Sequence, residues 1–315
     1  MQQAVKVSVS VVVASHRSDY VRELTDAFSK RPSATAPEFE VIVVADYPVL
    51  DHRRMYPGIR WVYHDDQSIS AKRNIGAASA LGDIFAFIDD DCVPSHDWIE
   101  KGFSYLDNHG DAAGCEGRTV VERSSAAAPV SEFRRLEKAG FRTNNIFYRR
   151  SSFESVGRFD ERFTFQREDA DLAFSILERG QSIGFCDDAV VTHRVRTEEK
   201  WDLLKNCFNR RFDPLLYKKH PVLYRKHIGS PVPPGIAFVM AVHALFVLAT
   251  FTVLWPVAAS LDCAAALVLA VRRNRGGKNG FLWIARDLIS FLAAPFVITA
   301  ALIYGSVKYR KWLLW

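Results

Sequence analysis

An apolar run, Ile84-Phe85-Ala86-Phe87-Ile88, passes directly into three aspartates, Asp89-Asp90-Asp91. A run that is apolar at every position reads as a strand buried on both faces. Such a strand does not end in stacked carboxylates unless a cation compensates them. A hard divalent ion with oxygen ligands holds charges of this kind together. Open α/β sheets also place their ligands at the C-terminal ends of their strands. The feature therefore predicts a metal-assisted site, with a diphosphate as the metal's partner. A competing reading is an acidic turn that opens the next helix at Pro94-Ser95-His96-Asp97.

The same texture occurs upstream. Val5 to Ala14 reads as a buried strand followed by the polar loop Ser15-His16-Arg17-Ser18-Asp19, and a helical pattern continues through Phe28. Phe39 to Ala45 reads as a second strand ending in Asp46-Tyr47-Pro48, and Arg60 to Tyr63 as a short third. Ser70 to Ala80 reads as a helix with Gly82 as its stop. Downstream, a strand is expected over Ala112 to Val121, helices over Ser151 to Val156 and Glu168 to Arg179, and one or two strands between Gln181 and Val195. Strands alternating with helices predict an α/β fold with a mostly parallel sheet, more mixed in its later half.

Composition changes near Lys200. Residues 200–315 hold 16 Lys/Arg against 4 Asp/Glu, a net +12, so residues 1–199 hold 25 against 32, a net −7. A basic tail on an acidic domain points to an anionic surface. Apolar runs in the same tail select membrane over nucleic acid. Between 205 and 226, Lys205, Arg210, Arg211, Lys218, Lys219, Arg225 and Lys226 sit among Phe208, Phe212, Tyr217 and Tyr224, a pattern suited to anionic headgroups. Residues 227–261 contain no Asp, Glu, Lys or Arg. Gly235 to Trp255 is long enough to span a bilayer, while Val257 to Val271 is shorter and interrupted by Asp262. Basic segments at 272–278 and 308–311 both belong on the cytosolic side. A hairpin over 235–271 and a re-entrant or in-plane hairpin over 281–307, bent near Pro295, satisfy both; a third full span with an external C-terminus is the alternative. The expected organisation is thus a domain over 1–200, a basic interfacial linker over 201–234, and a transmembrane or re-entrant helical region over 235–315. Five scattered cysteines with no metal-site spacing fit a reducing compartment. The start, Met1 to Lys6, lacks the pattern of a signal peptide, so the first domain is expected in the cytosol, at the inner or plasma membrane.

Six segments in order carry a resemblance. They are Val9-Ser10-Val11-Val12-Val13-Ala14-Ser15, Val41-Ile42-Val43-Val44-Ala45-Asp46, Ala71-Lys72-Arg73-Asn74-Ile75-Gly76, Phe87-Ile88-Asp89-Asp90-Asp91, Val156-Gly157-Arg158-Phe159-Asp160-Glu161 and Arg167-Glu168-Asp169-Ala170-Asp171-Leu172. Together they resemble glycosyltransferase family 2, over nearly two thirds of the chain. The resemblance implies a GT-A nucleotide-sugar-binding fold and inversion of the anomeric centre in one displacement. It implies Mg2+ or Mn2+ held by Asp91, Asp89 and His193, and a base, Asp169, with Glu168 beside it. It implies a donor pocket built from Ser15, His16, Asp46, Arg73, Asp89 and Asp90. Lys72, next to Arg73, reads as the solvated helix residue of that pair. Relatives carry a second glycine where this chain has Arg158.

Processive relatives carry a Gln-x-x-Arg-Trp motif, whereas this chain has Phe208-Asn209-Arg210-Arg211-Phe212, which favours transfer of a single sugar. Arg210 and Arg211 are candidates for an anionic acceptor. The expected donor is a UDP-sugar, since an aspartate–arginine pair suits uracil, with GDP- and dTDP-sugars as the alternatives. The expected acceptor is a lipid or lipid-linked glycan, and no nucleic-acid partner is expected. Two other functions compete: a nucleotidyltransferase, whose usual glycine-rich loop is missing from Ser15 to Asp19, and a non-catalytic membrane-bound nucleotide-sugar binder.

Overall fold

The structure, a computed structural model, describes residues 7–29, 33, 35–122, 134–195, 201–274 and 281–313. The expected start of the first strand at Val5, and Arg275 to Lys278 of the basic loop, lie outside these residues. The described residues fall into two compact units, one reaching to Glu122 and resuming over Arg134–Arg194, the other beginning at Val195.

In the first unit β1 (Val9–Ser15), β2 (Phe39–Ala45), β3 (Arg60–Tyr63) and β4 (Ile84–Ile88) form a parallel block in the order β3-β2-β1-β4. Their uniform hydrophobicity has a simple cause. Val11, Val13, Val43 and Ala86 join one core, while Val12, Ile42, Val44, Phe85 and Phe87 join the other. β1, β2 and β4 are therefore covered on both faces. The first core is closed by α1 (Val21–Ser29) and α4 (Trp98–Asn108), the second by α3 (Ile69–Ser79). Phe85 and Phe87 are fully buried, and each contributes about 1.5–3 kcal/mol of burial free energy. A short helix, α2 (Leu50–Met55), joins β2 to β3.

Beyond β4 the sheet becomes mixed. The sequence does not announce β7 (Asn145–Arg149), which runs antiparallel to β4 and to β6 (Ala112–Val121). β8 (Ser182–His193) lies parallel to β6, with an irregularity opposite Gly117 and Arg118. The three-residue β5 (Cys92–Pro94) closes the order β3-β2-β1-β4-β7-β6-β8-β5 by pairing antiparallel with β8, Cys92 opposite His193. α5 (Arg150–Ser155) and α6 (Glu168–Glu178) complete the unit.

Gly82 does not stop α3. The helix ends at Ser79, with Ala80 already extended, and Gly82 is where the chain presses against β1: a Cβ there would lie 2.8 Å from the Ser10 amide nitrogen and the Val9 carbonyl carbon. Backbone atoms cannot yield, so the position needs glycine for close approach.

The second unit is helical: α7 (Asp202–Asn209), a 3-10 turn over Arg210–Phe212, α8 (Asp213–Lys219), α9 (Pro221–His227), α10 (Pro234–Ala249), α11 (Trp255–Arg273) and α12 (Phe281–Tyr309). Cys207, Val232 and Ile236 share a core with Ala294, Ile298 and Leu302 of α12. Three expectations need correction. The run from Gly235 is a 16-residue helix, about 24 Å long, that ends before Thr250. The run holding Asp262 is longer than expected, 19 residues, because Asp262 is not a break. It is buried, its Oδ2 lying 2.7 Å from Nδ1 of His243 on α10. The last run does not fold back at Pro295. It is one 29-residue helix of about 43 Å, and Pro295 lies buried on its packed side. Helices α11 and α12 are long and apolar enough to cross a membrane.

Candidate active site

The parallel register sets Ser15 beside Ala45 and Val12 beside Phe87, so the exits of β1, β2 and β4 open side by side. Those exits carry Ser15-His16, Asp46 and the three aspartates. The aspartates point in three directions.

Asp91 faces β8. Its Oδ1 lies 3.3 Å from Nε2 of His193, and both side chains are buried. Nδ1 of His193 lies 2.8 Å from the Arg194 carbonyl oxygen, which can only accept, so Nδ1 carries the proton. Nε2 is then the ring nitrogen turned toward the carboxylate oxygen. Two acceptors meeting in this way suit a cation between them, and a backbone carbonyl fixing the other ring nitrogen is the usual outer support of a metal-binding histidine. Cys92 Sγ lies within the same 4.8 Å cluster. Burial pushes its thiol well above the ordinary range, with the neighbouring Asp91 carboxylate adding to the rise, and sulfur is a soft ligand ill-suited to a hard cation. An oxygen and an imidazole nitrogen fit Mg2+ or Mn2+.

Asp90 turns back to the β1 loop. Its Oδ2 accepts from Ser15 Oγ at 2.9 Å, from the His16 amide at 3.0 Å and from the Arg17 amide at 3.3 Å. Burial, followed by the charge of Asp91, pushes its carboxyl up to about 6. Asp90 thus shapes the loop that carries Ser15 and His16.

Asp46 is held by two partners. Its Oδ2 lies 2.7 Å from His16 Nδ1 and 2.8 Å from Lys72 Nζ, and the two nitrogens are 2.9 Å apart. Against the upward push of burial, hydrogen bonds from Lys72 and His16 hold the Asp46 carboxyl below its usual range. Burial, then Lys72, lowers His16. Lys72 is not a solvated helix residue: its side chain is fully buried and Nζ also donates to the Ser15 carbonyl at 2.9 Å. Spacing alone does not reveal this, because a lysine in an exposed-looking helical turn reads as surface. Lys72→Met is expected to free Asp46 and the β1 loop and to weaken nucleotide binding about tenfold, roughly 1.4 kcal/mol, in a calorimetric titration.

Asp89 points to Arg73. The guanidinium donates to Asp89 Oδ1 at 2.8 Å and to Glu168 Oε1 at 3.0 Å, with the Phe159 ring 5.6 Å from its carbon. Arg73 is 3% exposed, so it is a buried clamp and not an open face for a base to stack on. Neighbouring Asn74 pairs with the Phe159 backbone through both its amide atoms, at 2.9 and 3.0 Å. This holds the Val156 to Glu161 segment, in which Gly157 and Arg158 both adopt left-handed φ, 89° and 67°.

Glu168 and Asp169 open α6. Burial raises both carboxyls, Glu168 to about 7 with the Asp169 charge adding to it and Arg73 opposing. For Asp169 the opposing groups are the Ala170 amide, Arg167, Arg73 and Arg142. The helix N-terminus therefore does not by itself decide the state of Asp169. Burial outweighs it, and three arginines pull the other way.

Residues 10–163 match the family model described as Glycosyl transferase family 2. The first unit belongs to glycosyltransferase family 2. The chain is 28% identical over 151 residues to "Glycosyltransferase AglE" of Haloferax volcanii, a match covering 45% of this chain and 49% of AglE, so it spans about half of that relative. It is 26% identical over 245 residues to the "Glucosyl-dolichyl phosphate glucuronosyltransferase" of the same organism, covering 66% of this chain and 78% of the relative. Among solved structures, the mannosyltransferase PcManGT from Pyrobaculum calidifontis, in complex with GDP-Man and Mn2+, superposes with a TM-score of 0.61 at 16% identity, over 98% of this chain and 91% of that one. That likeness shows the fold, a GT-A sheet.

Within the family 2 domain the structure gathers Ser15, His16, Asp46, Asp89, Asp90, Asp91, Arg73, Glu168, Asp169 and His193 through the contacts above. Arg210 and Arg211 belong to the second unit, and both are occupied there. Arg210 lies 3.6 Å from Asp213. Arg211 donates to Asn209 Oδ1 at 2.7 Å and sits over the rings of Phe208 and Phe212 at 4.3 and 4.5 Å.

Proposed function

We propose that this chain is a metal-dependent, inverting glycosyltransferase that moves one sugar from a nucleotide sugar to a lipid or lipid-linked glycan at the cytosolic face of a membrane. The observation that carries this reading is Arg73, which ties Asp89 of the aspartate run to Glu168 beside Asp169. A diphosphate-binding motif and a candidate base thereby share one buried cation.

In this reading Asp46 receives the imino N–H of the nucleobase on its Oδ1, since Oδ2 is taken by His16 and Lys72. Uracil offers that N–H, and a UDP-sugar is the donor we assign. Asp91 and His193 would hold a divalent cation, which when bound would supply counter-charge to the leaving diphosphate. Asp169 accepts the proton of the acceptor hydroxyl as its oxygen attacks the anomeric carbon. The bond from that carbon to the diphosphate oxygen breaks on the opposite side, and the nucleoside diphosphate departs. The apolar α11 and α12 favour a membrane, and the basic segment 205–226 favours its cytosolic face. The relative named as acting on glucosyl-dolichyl phosphate supports a lipid-linked acceptor.

The test is transfer from a panel of labelled nucleotide sugars into an organic-phase lipid extract, with Mg2+, Mn2+ or EDTA. Metal-dependent label in the lipid phase from a uridine donor is the expected result. Label reaching only a water-soluble acceptor removes the lipid assignment, and label from a guanosine donor alone removes the uridine assignment.

A further inference from the structure

Glu116 of β6 is 5% exposed and serves no group in the site described so far. Its carboxylate is spent on backbone. Oε2 accepts from the Gly140 amide at 2.8 Å and the Phe141 amide at 2.7 Å, and Oε1 from the Gly140 and Arg142 amides, both at 3.1 Å. Three successive N–H groups converging on one anion form a nest, the arrangement proteins otherwise use to bind phosphate. Phe141 takes the left-handed φ of 60° that lets them converge, a strained choice for an aromatic residue. The ring of Phe141 then packs edge-on against Phe174 of α6, centroids 6.5 Å apart. The nest is thus pressed onto the helix whose first turn carries Asp169. The next residue, Arg142, is half-buried, donates to the Lys138 carbonyl, and lies within electrostatic reach of Asp169.

We propose that Glu116 is a positioning residue for the transfer reaction: it fixes the 140–142 turn against α6 and so holds the Arg142 guanidinium beside the Asp169 carboxylate. This rests on the reading of Asp169 as the base. The groups that face Asp169 are Arg73 of α3, Arg142 of the turn, Arg167 just before α6, Glu168 of α6 itself and Tyr148 of β7. Arg142 is the one among them whose place depends on the nest. Without its positive charge, Asp169 holds its proton to higher pH and is a working base over a narrower range. A carboxylate suits the nest and an amide does not, because the NH2 group of glutamine would face N–H donors.

The experiment is the pH dependence of kcat for the detergent-solubilised full chain and its variants Glu116→Gln, Arg142→Ala, Arg142→Lys and Asp169→Asn, with donor affinity and thermal unfolding followed alongside. Glu116→Gln and Arg142→Ala are expected to move the acid limb of the profile up by about one pH unit, the low end for loss of a nearby cation. Donor affinity should stay within twofold, and Arg142→Lys should bring the limb back. Acid limbs at the parental pH in both variants, with Asp169→Asn inactive, overturn the proposal while leaving the base in place. An active Asp169→Asn instead overturns the base assignment. Should Glu116→Gln fail to fold, Glu116→Asp keeps the charge but falls short of the turn, and an unmoved limb there is equally decisive.

Discussion

Replacing Asp169 with asparagine is expected to lower kcat by about 100- to 10,000-fold while leaving donor affinity nearly unchanged. Asparagine keeps the shape of the side chain and can still accept from the Ala170 amide, which lies 2.7 Å from Oδ1. It cannot take a proton. The same substitution carries a second, opposite expectation for stability. Burial raises the carboxyls of Asp169 and Glu168, and each charge penalises the other. Ionising them in the fold is therefore unfavourable relative to the unfolded chain, so this penalty is absent below the ordinary carboxyl range and grows as the pH rises. Asp169→Asn removes one of the two charges. At neutral pH the variant should unfold at the same temperature as the parent or higher. Activity lost together with stability would indicate a structural role instead.

Asp91→Ala should abolish the response of donor binding to divalent metal and reduce turnover on the order of 1,000-fold, as removal of the charge stabilisation at a leaving group does. EDTA applied to the parent should have the same effect, and Asp91→Ala should be insensitive to it. His193→Ala should raise the metal concentration needed for half-maximal activity, since a weaker site remains. Cys92→Ser should leave that concentration unchanged, because a hard cation held by carboxylate and imidazole gains little from sulfur. Manganese titrated into each variant, followed by its paramagnetic effect on water relaxation, separates these outcomes. Equal metal affinity in parent and Asp91→Ala would remove Asp91 from the metal site.

Much of this unit was legible because its strands are buried on both faces. Val9 to Ser15, Phe39 to Ala45 and Ile84 to Ile88 need no partner pattern to be recognised, since each residue enters one of two cores. Their polar exits were legible for the same reason, as abrupt charge after an apolar run. β5 and β7 were not: Cys92–Pro94 is too short for a pattern, Asn145–Arg149 is bounded by polar residues, and both are defined by partner strands far along the chain. Nor could spacing show that the aspartates diverge, one to Arg73, one to the β1 loop and one to His193. Lys72 and Glu116 escaped because single charges on a helix and a strand read as solvent-facing, and only tertiary partners make them interior groups. In the second unit the apolar runs were plain, but helix ends were not. Pro295 suggested a bend that packing within the helical unit overrides.

The most direct test of the central claim is release of nucleoside diphosphate from nucleotide sugars by the purified full chain, with Mn2+ and with EDTA, beside Asp91→Ala and Asp169→Asn. Metal-dependent release from one class of donor, absent in EDTA and in Asp91→Ala, and stimulated by lipid acceptor only when Asp169 is present, is the expected result. Donor bound by the parent but never turned over, with or without lipid acceptor and metal, would contradict it and leave a binding protein built on a transferase fold.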